Sequence, residues 1–206
     1  MPPVKVKICG ITRLEDALAA ARHGADALGF NFWPRSKRFI APADAAAIVR
    51  KLPPEVEAFG VFVNASREEL LAAVAASGVG TAQLHGDEPP ALCASLPVPV
   101  VKAIRVDGPS ALAALAAYEV SAFLLDAAGP GFGGSGRTLD WELAAEAARA
   151  ARVFLAGGLT PENVAEAVSR VRPYGVDVAS GVELMPGVKD EEKVRRFVQA
   201  AKEAAR

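Results

Sequence analysis

The chain has 206 residues, 51% of them apolar and 23% charged, with 23 basic and 24 acidic side chains that leave a formal net charge of −1. This composition supports a sizeable core, excludes a disordered polymer, and offers no basic stripe of the kind nucleic-acid backbones require. The opening MPPVKVK has no apolar leader core and no run approaches the roughly 18 uninterrupted apolar residues of a membrane span, so a cytoplasmic protein with no nucleic-acid or membrane partner is expected.

The first strand-like run is KVKIC, which starts at Lys5 and stops on Cys9 with Gly10 behind it, placing a reactive thiol on what the pattern makes an exposed turn. Thr12 precedes LEDALAAA as the start signal of a first helix. ALGFNF is the second strand and runs into WPRSKRFI, a loop carrying Arg35, Lys37 and Arg38 with no acidic neighbour beside them. A planar guanidinium there can grip a carboxylate through two parallel hydrogen bonds; a merely solvated basic loop is the alternative. Pro42 opens the next helix, AFGVFV is the third strand, and Ser66 precedes the helix REELLAAV. TAQLH, the fourth strand, ends on His85, a residue equally suited to a structural hydrogen bond or a contact at a site. Cys93, inside PPALCASL, is expected to be a small buried hydrophobe. VVKAIRV and AFLLDA follow as strands five and six, and Asp126 sits behind the apolar AFLL, where a carboxylate has little solvation. The longest irregular stretch, AGPGFGGSGRT, leads to a helix beginning near Trp141. VFLAGG, strand seven, closes on Gly157 and Gly158, with Thr160 and Pro161 before ENVAEAV; GVDVAS, strand eight, closes on Ser180 and Gly181.

Eight strands alternating with helices imply parallel pairing through right-handed crossovers, and they predict an α/β fold: a single-domain (β/α)8 barrel over residues 1–206. An open doubly wound sheet is the rival, but it carries its glycine-rich loop after the first strand, whereas here the glycines gather after strands six, seven and eight. In a closed barrel the C-terminal rim bears the chemistry, and Cys9, His85, Asp126, Gly157, Gly158, Ser180 and Gly181 all fall there. Side-chain alternation puts Lys7 with Cys9, Gln83 with His85, Leu124 with Asp126 and Asp177 with Ala179 on common faces, here assigned inward. Strands one and eight become neighbours on closure, so a Lys7–Asp177 pair is expected, either as structure or as part of a ligand pocket. Glycine junctions on adjacent strands, AGGLTPENV and ASGVELMPG, allow backbone N–H groups to approach a phosphate, with a following helix start adding a positive dipole end. Cys9 and Cys93 are too far apart in the chain for metal-ligand spacing, and the two histidines, His23 and His85, are too few for a persuasive metal site.

Taken together, KICGIT, GFNFWPRSKR, GVFVN, QLHGDE, LLDAAGPGFGGSGRTLDW, LAGGLTPENV and VDVASGVE with PGVKD resemble the phosphoribosylanthranilate isomerase family, over a stretch from Lys5 to about Val198. The resemblance implies an Amadori rearrangement in tryptophan biosynthesis on a small phosphosugar substrate, with no metal or organic cofactor. It implies Cys9 as general base, Asp126 as general acid and Arg38 as the residue that binds the anthranilate carboxylate. It implies a phosphate site on Gly157, Gly158, Ser180 and Gly181 with help from Gly133 and Gly134, and Asp177 as a residue lining the substrate; Lys7 and His85 join the expected pocket from their strand faces and rim positions. A nearby Lys7 ammonium would favour the Cys9 thiolate. Arg137 stands where the family often has lysine, which keeps the charge and changes the donor geometry. A homodimer is the assembly the resemblance leaves open. The rivals are an epimerase of another phosphosugar, whose metal site two histidines are too few to build, a lyase using Lys7 or Lys102 through a Schiff base, and a binding barrel without chemistry.

Overall fold

The computed structural model describes residues 3–108, 110–127 and 140–205. Among these, eight parallel strands close into a barrel in chain order: β1 (Lys5–Cys9), β2 (Ala27–Asn31), β3 (Glu57–Phe62), β4 (Thr81–Leu84), β5 (Val100–Val106), β6 (Ala122–Ala127), β7 (Val153–Leu155) and β8 (Gly175–Val178). Closure is made by β1, which pairs with β2 on one side and with β8 on the other, setting Lys7 directly beside Asp177. The helices α1 (Leu14–Arg22), α2 (Pro42–Val49), α3 (Arg67–Ser77), α4 (Pro90–Ala94), α5 (Ser110–Leu115), α6 (Trp141–Ala150), α7 (Val164–Val171) and α8 (Glu191–Ala204) alternate with the strands. Beyond β8 a single 3-10 turn, Ser180–Val182, leads into an antiparallel hairpin of β9 (Glu183–Met185) and β10 (Val188–Lys189) before α8.

The strands have two buried faces, which is why they are nearly continuous apolar runs. Outward residues such as Ile8, Leu28, Leu125 and Val176 meet the helices, whose apolar stripes follow helical spacing: Val164, Ala167, Val168 and Val171 on α7, and Val194, Phe197, Val198 and Ala201 on α8. Inward residues fill the barrel, with Ala27, Val101, Ala103 and Ala122 making room for Phe59 and Phe154. Large and small side chains thus interdigitate to form a packed interior rather than a pore.

Helix starts divide into those set locally and those set by the fold. Ser66 caps α3 in a capping box with Glu69, and Asp140 and Asp190 accept backbone N–H bonds at the starts of α6 and α8. Thr12 does not cap α1 as its position predicts. Arg13 holds the cap position, and the Thr12 hydroxyl instead donates to the carbonyl of Gly187 in the β9–β10 hairpin at 2.6 Å. Thr160 and Pro161 likewise precede α7 by a turn, since the helix begins only at Val164.

Candidate active site

One cavity at the C-terminal rim is lined by Cys9, Arg38, His85, Asp126, the glycines 157, 158 and 181, Asp177 and Ser180. Strands β1 and β6 lie three places apart around the barrel, so Cys9 and Asp126 enter this cavity from different walls. With Val61 and Val63 from the end of β3, seven segments of the chain converge on one space.

Cys9 differs from its expected setting. It is not exposed on a turn but 9% accessible, because the chain after it folds back and both Gly10 and Ile11 donate to the carbonyl of Gly29. Lys7 is wholly buried and holds Asp177 at 2.6 Å, as strand closure predicts, and its ammonium also lies 5.5 Å from the centroid of the Phe59 ring. It is not among the residues that line the cavity, and its charge is engaged by Asp177. Burial alone would lower the Lys7 pKa, but Asp177 and Cys9 together outweigh it and the ammonium is held above its ordinary value. For Cys9 the balance goes the other way. Burial raises the thiol, Lys7 and Lys189 lower it, Asp177 raises it again, and the net shift is upward. Lys7 thus favours the thiolate as expected, but desolvation is the larger effect, and the thiol is not the low-pKa group that its cationic neighbour suggests.

Asp126 is buried on a strand whose six residues are all buried. Its Oδ2 lies 3.5 Å from Nε2 of His85, within ion-pair reach but without hydrogen-bond geometry, so that Nε2 has no hydrogen-bond partner among the described residues. The other ring nitrogen of His85 is 3.3 Å from Nε2 of Gln83. His85 thus lines the cavity beside the Asp126 carboxyl.

The basic loop resolves into three different situations. Arg35 is exposed and stacks over the Trp33 ring at 5.5 Å, Lys37 is exposed, and Arg38 alone of the three lines the cavity. Arg38 also has an acidic neighbour that its local sequence does not contain. Glu183, 145 residues later, accepts from Nε at 2.8 Å and from Nη2 at 2.7 Å. Glu183 in turn accepts from Nζ of Lys189 at 2.9 Å. Burial would raise the Glu183 carboxyl, but the Arg38 hydrogen bond and the Lys189 charge outweigh it and hold it below its ordinary value. Lys189 is lowered by burial, against the opposing pull of Glu183. Neither Glu183 nor Lys189 is evident as a site residue from the sequence; an acid and a base flanking LMPGV in a short hairpin is the one local signal.

The two glycine junctions abut. Gly157 and Gly158 adopt φ of 81° and 66°, which L side chains rarely tolerate, and a Cβ on Gly181 would overlap the carbonyl oxygen of Leu159. Asn163 braces this turn by donating to the carbonyl of Gly158 at 2.9 Å and accepting from the Thr160 amide at 2.8 Å. The expected helix start behind the second junction is replaced by the 3-10 turn Ser180–Val182, since the chain must turn directly into the hairpin that carries Glu183. Gly133, Gly134 and Arg137 lie outside the described residues. Lys102, the other interior lysine, does not line the cavity; its ammonium is held by Glu88 at 2.9 Å and by the carbonyl of Gly86 at 2.7 Å.

The geometry thus provides a buried thiol and a buried carboxyl on separate walls of one cavity, a guanidinium at its edge and a glycine-lined turn beside it. The chain is similar to known proteins over nearly its whole length. A family model described as N-(5'phosphoribosyl)anthranilate (PRA) isomerase matches residues 6–200. The N-(5'-phosphoribosyl)anthranilate isomerase of Geobacter sp. (strain M21) is 56% identical over 199 residues, which is 96% of this chain and 98% of the relative. A crystal structure of phosphoribosyl anthranilate isomerase in complex with reduced 1-(o-carboxyphenylamino)-1-deoxyribulose 5-phosphate is 43% identical with a TM-score of 0.88, covering 97% of this chain and 99% of that one. Monomers generated from the dimeric enzyme of Thermotoga maritima are 43% identical with a TM-score of 0.87 and the same coverage.

Proposed function

We propose, from the premise that the chain belongs to the N-(5'-phosphoribosyl)anthranilate isomerase family, that Cys9 and Asp126 are the general base and general acid of its reaction. The enzyme acts in tryptophan biosynthesis, converting N-(5-phosphoribosyl)anthranilate into 1-(2-carboxyphenylamino)-1-deoxyribulose 5-phosphate by an Amadori rearrangement. The observation that carries the assignment is that these two proton-transfer groups reach one cavity from different walls.

The Asp126 carboxyl gives its proton to the furanose ring oxygen, the C1′–O bond breaks and the substrate opens to a cationic imine. The imine acidifies the neighbouring C2′ hydrogen, which the Cys9 thiolate removes to give an enolamine; the Cys9 thiol then returns a proton to C1′ while the Asp126 carboxylate takes the enol O–H proton, which yields the ketone and restores both groups. A thiol with a raised pKa suits the second step, because proton abstraction from carbon needs a strong base, and at a given pH the cost is a smaller thiolate fraction. His85 beside Asp126 and Asp177 beside Lys7 complete the pocket around the sugar. The phosphate is assigned to the turn formed by Gly157, Gly158, Ser180 and Gly181, with Gly133 and Gly134, which lie outside the described residues, added by the resemblance, and the aromatic carboxylate to Arg38. No cofactor enters these steps, since acid, base and electrophilic imine account for every proton.

Turnover of freshly prepared substrate by Cys9→Ala and Asp126→Asn tests the assignment. Each variant is expected to lose about a hundredfold or more in kcat with a modest change in KM, because each removes a transfer made only in the transition state. Near-normal turnover by either variant would overturn its role. We further propose that the chain is a single catalytic domain acting in the cytoplasm; among the described residues no helix is long and apolar enough to cross a membrane. A homodimer is the proposed assembly, by similarity to the relative described as dimeric.

A further inference from the structure

Arg38 is a long, flexible side chain, and a guanidinium that wanders is a poor receptor for one carboxylate in one orientation. The structure gives it an unusual amount of support. Its stem crosses Gly10, which adopts φ of 78° and where a Cβ would overlap Arg38 Cδ, so that the guanidinium is brought alongside Cys9. Its Nε and Nη2 are then engaged by the two oxygens of Glu183, a side-on bidentate pair. A guanidinium has five N–H donors, and this clasp consumes two along one edge, leaving Nη1 and the second hydrogen of Nη2 along another. Glu183 is itself fixed. Oε1 also accepts from Lys189 Nζ at 2.9 Å and from the Gly187 amide at 3.3 Å. Lys189 Nζ donates in addition to the carbonyls of Cys9 at 2.5 Å and Ala179 at 3.2 Å, which ties the carboxylate to the backbone of the base. The hairpin is held in place by Thr12 on the Gly187 carbonyl and by Asp16 on the Lys189 amide at 3.1 Å. Glu183 thus engages one edge of Arg38 and leaves the donors of the other edge open to a further acceptor.

We propose that Glu183 is a positioning residue for the rearrangement: by clasping the Nε–Nη2 edge of Arg38 it presents the remaining Nη1–Nη2 edge to the carboxylate of the substrate's aromatic ring, and Lys189 fixes that arrangement relative to Cys9. The inference rests on the assignment of Arg38 to that carboxylate.

The test measures binding of two product analogues, reduced 1-(2-carboxyphenylamino)-1-deoxyribulose 5-phosphate and the same molecule lacking the ring carboxyl, to wild type, Glu183→Gln, Arg38→Met and the double variant. Wild type is expected to prefer the carboxylated analogue, and Arg38→Met to lose that preference. Glu183→Gln is expected to lose about tenfold of the preference while binding the decarboxylated analogue as wild type does, and the double variant to match Arg38→Met, as coupled residues do. With the natural substrate the same change appears as a raised KM. If Arg38→Met loses the preference and Glu183→Gln keeps it, the positioning role is overturned and Arg38 stands. If Arg38→Met keeps it, the assignment of Arg38 falls. Equal loss of both analogues in Glu183→Gln would mark a merely structural residue and would also overturn the proposal. Should Glu183→Gln fail to fold, Glu183→Asp carries the same comparison, since it keeps the charge beside Lys189 but withdraws the carboxylate from Arg38, and the same preference is expected to fall.

Discussion

The Cys9 thiol is buried among two cations and a carboxylate and still sits above its ordinary value, because desolvation exceeds the help it receives. The pH dependence of kcat/KM, which reports the free enzyme, should therefore rise with pH as Cys9 loses its proton, with the limb above the ordinary thiol pKa of about 8.5. Replacing Lys7 and Asp177 together, as Lys7→Met with Asp177→Asn, removes the larger lowering influence and the smaller raising one, so the limb should move to still higher pH. The double change avoids stranding Asp177, because a buried charge left unpaired costs about 3–5 kcal/mol. A limb that does not move, or moves to lower pH, would show that Lys7 does not act on the thiol. Cys9 and Asp126 were legible in the sequence because strand alternation and a rim position are both local facts. The raised thiol was not, since its burial depends on the chain folding back onto Gly29. Glu183 was not legible either, for its partner Arg38 is 145 residues away.

Secondary-structure elements were legible in proportion to how locally they are determined. All eight strand runs appear as strands, with ends moved by a few residues at β7 and β8, where glycine and serine leave the ladder to form the turns at the cavity rim. Ser66 acts as its motif predicts, so Ser66→Ala should lower stability by about 1 kcal/mol in denaturant unfolding; no measurable change would mean that packing alone holds the start of α3. Thr12 and Thr160 were misplaced because tertiary partners claim the first and an Asn163 turn delays the helix behind the second. The β9–β10 hairpin carries a pH signature of its own. The Glu183 carboxyl is depressed in the folded protein, so its contribution is fully present above the unfolded value of about 4.3 and is lost as pH falls through the lower folded value. The stability difference between wild type and Glu183→Gln should be level near neutral pH and shrink below about pH 4 in parallel unfolding curves. A difference independent of pH would contradict the ion pairing.

At the level of the whole molecule, the alternation of eight apolar runs with amphipathic helices indicated parallel pairing through crossovers, and the count of eight with the glycines gathered after strands six, seven and eight favoured a closed barrel over an open sheet. Closure is also what creates the site: it sets Lys7 beside Asp177 and brings β1, β6, β7 and β8 around one cavity. Assembly was not legible, since an interface leaves no periodic signal, and light scattering is expected to give twice the monomer mass; a monomer would set this chain apart from its dimeric relative. In the proposed reaction a thiol removes hydrogen from carbon and a carboxyl supplies it to oxygen on the same sugar. Single-turnover conversion of substrate deuterated at C2′ tests this most directly. A primary isotope effect in wild type, with Cys9→Ala opening the ring but forming no ketone, is the predicted result, and ketone formation by Cys9→Ala at the wild-type rate would contradict it.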